Sequence, residues 1–102
     1  MKTVIYFNVE EPRRHLLDNG SVYTCRRAKR RRGEFMDARH GSLHSFERLG
    51  RVYVDFVMVV REKSELQSFV DNSGFETVDD WVASIDGEFP LYLYYVLLVE
   101  QV

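Results

Sequence analysis

One cysteine in 102 residues, Cys25, leaves this chain without a disulfide framework and without a cysteine-based zinc site. Apolar runs are short: the longest, Leu91 to Val99, is nine residues, which suits a strand, against the ~20 needed to span a bilayer. Met1 to Phe7 is too brief for a signal peptide and runs into a polar, acidic stretch, so a cytoplasmic protein is expected. No glycine-rich phosphate loop, hydrolase elbow or dinucleotide fingerprint is found, and no cofactor is expected. His40 and His44 stand four apart as zinc ligands can, but Gly41 lies between them and a third ligand is lacking nearby, so no metal is expected. Asp79 and Asp80 read as first-turn helix residues stabilised by the dipole, not as an acid–base pair.

What is present is a β-favouring mixture. Apolar residues make up 45% and aromatics 14%, which excludes a disordered or fibrous chain and fits one domain spanning residues 1–102. The net charge of −2 conceals a strong asymmetry. Residues 26–51 carry nine basic and three acidic side chains, a local +6, whereas residues 52–102 carry two basic and ten acidic, a local −8.

The positive half centres on Arg26-Arg27-Ala28-Lys29-Arg30-Arg31-Arg32, where six of seven positions are cationic. Like charges packed this densely repel one another unless an anion or solvent neutralises them. Two neutralisers are open: an external polyanion, or the acidic half of the same chain.

Along the sequence, Thr3 to Val9 predicts a strand, and Glu11-Pro12 opens a helix that Asn19-Gly20 ends, with Leu16 and Leu17 facing the core. Ser21 to Arg27 predicts a second strand. Residues 28–48, punctuated by Gly33 and Gly41, predict a long loop or open hairpin held down by Phe35 and Phe46. Arg51 to Val60 reads as a central strand, apolar on both faces in its second half. A capping box at Ser64 to Gln67 predicts a helix reaching Asp71, and Thr77 caps another that carries Val78, Trp81, Val82 and Ile85 on one face and stops at Gly87. Leu91 to Val99 is the last strand. The order is an α+β one with two or three short helices, and it can be divided into two β-α-β halves, since Leu16 to Asn19 and Phe69 to Asn72 echo one another 53 residues apart.

At Gly20-Ser21-Val22-Tyr23-Thr24-Cys25-Arg26 the chain resembles the ASCH domains, small relatives of the PUA-like β-barrels, whose motif is Gly-x-Lys-x-x-(Thr or Glu)-x-Arg. The spacing here is one residue tighter, and Ser21 or Val22 stands where that family has Lys. Leu49-Gly50-Arg51-Val52 and Ser73-Gly74-Phe75 ahead of Trp81 extend the likeness. The resemblance implies a mixed, partly closed sheet or barrel of five or six strands with helices on one side, and a cleft suited to RNA or a modified nucleoside. Some relatives are amidohydrolases; with the Lys missing, that activity would have to depend on Thr24. The Arg and Tyr content also resembles small proteins of viruses from hot archaeal habitats, which would place the chain in a host cytoplasm.

From these residues a non-enzymatic domain binding RNA or another nucleic acid is expected. Arg26, Arg27, Lys29, Arg30, Arg31 and Arg32 would hold phosphates, helped by Arg39, Arg48 and Arg51, while Tyr23 and Phe35 stack on bases. The rival expectation is a protein-interaction module that takes an extended peptide in a groove between two β-α-β halves.

Overall fold

Residues 3–29, 33–85 and 88–102 are described by the computed structural model. Strand β1 (Val4–Tyr6) leads into helix α1 (Glu10–Asn19) and strand β2 (Ser21–Arg26). Strands β3 (Glu34–Gly41) and β4 (Phe46–Val60) form an antiparallel hairpin. Two 3-10 turns (Lys63–Leu66 and Val70–Asn72), helix α2 (Val78–Ala83) and strand β5 (Leu91–Gln101) complete the chain. All five strands join one mixed sheet in the order β1-β3-β4-β5-β2, with β1 parallel to β3 and the other pairs antiparallel. The α+β class and the five-stranded mixed sheet are as the sequence implies, and the sheet is not closed.

The two β-α-β halves do not form separate units. β1 and β2 lie at opposite edges of the sheet, while β4 and β5 are antiparallel neighbours, so both halves share one sheet and no groove divides them.

Local signals explain the helices. Glu10 and Glu11 sit in the first turn of α1, where the dipole favours them, and Gly20 at φ 83° ends it by donating its N–H to Leu16 O at 2.8 Å. The helix starts one residue before Glu11, so Pro12 occupies its third position and is buried beside Leu16. Thr77 accepts a hydrogen bond from the Asp80 N–H and caps α2. The expected helix from Ser64 to Asp71 is instead two 3-10 turns, and its capping box is formed by Glu62 and Glu65. Gly87 lies outside the described residues, as do Arg30, Arg31 and Arg32.

The stretch expected to be loop or open hairpin is mostly strand. Met36 and Ala38 point into the core while Phe35, Asp37 and Arg39 point the other way, and residues 42–45 turn between the two strands, closed by Ser42 N–H to Ser45 O at 2.8 Å. Phe35 and Phe46 do not hold this region down: both are exposed.

A bulge in β4 organises two cores. Val52, Val54 and Phe56 face the first core with Ile5, Phe7, Leu16 and Val96. Between Phe56 and Met58 the register with β5 slips by one residue, so Met58 and Val60 face the opposite side. There they meet Leu66, Val70, Trp81, Leu91 and Leu93 in the second core. This slip is why the second half of β4 reads as apolar on both faces.

Gly74 sets the approach of the second core's cover to α1. It stands at φ +90°, and a Cβ there would come within 3.0 Å of Pro12 Cα. Gly74→Ala is expected to lower stability by roughly 1–3 kcal/mol through a strained backbone, measured by thermal or denaturant unfolding against the parent.

Candidate nucleic-acid interface

One sheet face is covered by the 3-10 turns and α2 over only part of its length. On the uncovered part, register places side chains in rows: Phe35, Tyr53, Leu97 and Ser21 in one, and Asp37, Arg51 and Glu100 in the next. Phe35 is 50% exposed. Its ring meets Tyr53 edge-on at 4.9 Å, and the Arg51 guanidinium lies 4.5 Å from its centroid. A guanidinium on an aromatic face is held electrostatically and keeps its N–H groups toward solvent.

Asp37 is the buried charge of this face, 5% exposed. Arg39 donates Nε–H to its Oδ2 at 2.7 Å, and Arg48 donates Nε–H to Oδ1. Burial pushes this carboxyl upward, but the hydrogen bonds from Arg48 and Arg39 outweigh it and hold Asp37 below the ordinary aspartate value of 3.8. Arg39 also covers the Phe46 ring at 3.8 Å. Arg39 and Arg48 therefore fix the β3–β4 hairpin and are committed to an internal anion.

The described start of the basic segment, residues 26–29, lies at the end of β2. Arg26 donates from Nη1 to Tyr6 O at 2.8 Å and from Nε to Thr24 Oγ1 at 3.2 Å, with its guanidinium 5.0 Å from the Phe7 centroid. The Tyr94 hydroxyl donates to Ala28 O at 2.9 Å, and Lys29 stands 5.3 Å from the Phe56 centroid. Arg27, Ala28 and Lys29 are exposed. At the far end, a Cβ on Gly33 would collide with the Tyr53 hydroxyl, so the segment ends against the open face. Residues 26–29 thus lie on the Phe7–Phe56 side of the sheet, and Gly33 lies against Tyr53.

Among the described residues, no ion pair joins the basic stretch 26–51 to a carboxylate of residues 52–102. Between described residues the ion pairs are Arg14–Glu10, Arg39–Asp37, Arg48–Asp37 and Lys63–Asp79.

Of the residues singled out from sequence, the structure brings Phe35 and Arg51 together on the open face, whereas Lys29 stands against Phe56 on the first-core side and Arg27 is exposed near Phe7. Tyr23 does not join them: it packs edge-on against Phe69 at 5.0 Å and beside Tyr95 at 5.2 Å, under the second core's cover. Tyr53 takes the place beside Phe35 that sequence reasoning gave to Tyr23; only the β3–β4 register reveals it. Thr24 is buried beneath Arg26, and Cys25 is a core residue whose thiol is pushed up to about 12 by burial, against a weaker opposing pull from Arg26. Such a thiol is protonated at neutral pH and is no nucleophile.

Comparison with family models, curated proteins and solved structures found no match to this chain.

The Asp37 cluster sets an acid sensitivity. A carboxyl whose folded pKa lies below its unfolded one stabilises the fold fully above the unfolded value, and that contribution is lost as pH falls through the folded value. Stability is therefore expected to fall as pH drops below 3.8. Asp37→Asn should reduce stability at neutral pH and remove this part of the acid dependence, measured as denaturation midpoints across pH.

Proposed function

We propose that the protein binds single-stranded nucleic acid, RNA foremost, without catalysing a reaction on it. The carrying observation is Phe35, half exposed on an open sheet face, with Arg51 against its ring and Tyr53 at its edge. Unpaired bases stack on aromatic and guanidinium planes of this kind, in a duplex they are already stacked on one another, and every base has a face to offer.

Phosphates are assigned to the segment and not to the face. Arg51 has Asp37 and Glu100 as its register neighbours, and Asp37 already holds Arg39 and Arg48, so the face itself carries little surplus charge. Arg27 and Lys29 are exposed at the start of the segment, and the sequence adds Arg30, Arg31 and Arg32 between them and Gly33. A strand would lay its backbone along this segment and turn a base onto Phe35. Arg26, bound to Tyr6 O and Thr24 Oγ1, roots the segment.

Titration of a fluorescently labelled single-stranded RNA, followed by anisotropy, tests this. Log affinity should fall with log salt by about 0.7 per phosphate contact, and the slope should shrink by about that amount for each of Arg27→Ala and Lys29→Ala. Phe35→Ala should cost about 1–3 kcal/mol with the salt slope unchanged. A flat salt response, or equal binding after Arg30, Arg31 and Arg32 all become Ala, defeats the proposal. A partner protein that is captured after nuclease treatment, in the absence of RNA binding, would replace it.

A further inference from the structure

A cavity lies away from the open face, where the ends of β1 and β2 approach the first turn of α1 and one side of α2. Its volume is about 290 Å³, at the small-molecule end of ligand-site sizes. We propose that this cleft binds a small organic carboxylate with an apolar body.

Three independent features of its walls call for an acceptor or an anion. Trp81 lines the cleft and is 2% exposed, yet its indole N–H has no hydrogen-bond partner among the described residues. A buried donor left unpaired costs about 1–3 kcal/mol, which an acceptor on a ligand relieves. Second, the N-terminus of α1 is uncapped: Val9, at the N-cap, has no side-chain oxygen to offer the first-turn N–H groups. Asn8, the adjacent residue able to cap, is instead held by Gly41, donating to its carbonyl at 3.0 Å and accepting from its N–H at 2.8 Å. Val9 and Pro12 border the cleft, so the positive end of the helix faces the same space. Third, Arg27 stands exposed at the rim.

The remaining walls choose the rest of the molecule. Phe7, Phe75 and Ile85 are apolar, and a bare hydrated anion would leave them without a partner. Among the described residues that line the cleft none carries a carboxylate, the nearby Glu10 carboxylate turns to Arg14 at 3.4 Å, and the buried Cys25 thiol is protonated. Carboxylate oxygens toward Trp81 and Arg27, within the field of the α1 N-terminus, with hydrocarbon against Phe7 and Phe75, suit these groups together.

Trp81 is the sole tryptophan, so its indole N–H gives one resonance in a ¹H–¹⁵N spectrum of the ¹⁵N-labelled chain. Titration with phenylacetate should move that resonance saturably. Benzyl alcohol, the neutral counterpart, and inorganic phosphate, which lacks the body, should each bind at least roughly tenfold more weakly, and so should phenylacetate to Arg27→Ala, since tenfold is about 1.4 kcal/mol, one charge-assisted contact. Retained amide dispersion shows that this exposed-site variant is folded. Phe35→Ala should leave the titration unchanged, which separates this site from the nucleic-acid interface. An indole resonance that stays fixed through millimolar phenylacetate, or equal binding of benzyl alcohol, of phosphate, or by Arg27→Ala, overturns the proposal.

Discussion

Two strands of this sheet have no backbone neighbour on one side, and they face each other across the curl of the sheet. Arg26 spans them. From the end of β2 its guanidinium reaches Tyr6 O at the end of β1, Thr24 Oγ1 on its own strand, and the face of Phe7. A planar fork can make such divergent contacts at once, and a lysine ammonium on its flexible stem cannot fix the same geometry. Unpaired strand edges invite pairing with other chains. One arginine that ties the two edges together, with α1 running between them, blunts that hazard without closing a barrel.

The same residue begins the cationic run, and this gives the run its geometry. Arg26 fixes the first position, the Tyr94 hydroxyl fixes the Ala28 carbonyl, and Lys29 rests over Phe56. At the other end Gly33 lies against Tyr53. Residues 26–29 on one side and Gly33 on the other are thus each held by packing contacts of their own.

Much of this was legible in the sequence where the signal was local. Gly20 ends α1 and Thr77 caps α2 through contacts within a few residues, and both elements were readable. β3 was not, because its outward positions carry Asp37 and Arg39 and its register shifts between Ala38 and Arg39, which breaks the alternation a reader looks for. The turns at Lys63–Leu66 and Val70–Asn72 passed for one helix because Leu66 and Val70 keep a helical spacing while tertiary contacts bury both. In the interface, Phe35 and Arg51 were legible as an exposed aromatic and a cation. The roles of Tyr53 and Asp37 were not: each depends on which residue sits across the hairpin, and cross-strand partners are set by bulges and turns that lie elsewhere in the chain.

Asp37 also decides where positive charge is displayed. Buried between two arginines, it converts Arg39 and Arg48 from available cations into parts of the scaffold. Without an internal anion, three guanidinium groups would share one small stretch of sheet and repel one another, and the hairpin would carry a diffuse positive surface. With it, the face presents Phe35 and Arg51 against a near-neutral background, and the surplus charge is concentrated on the adjoining segment. The near-neutral aromatic face follows from one buried carboxylate and its two partners.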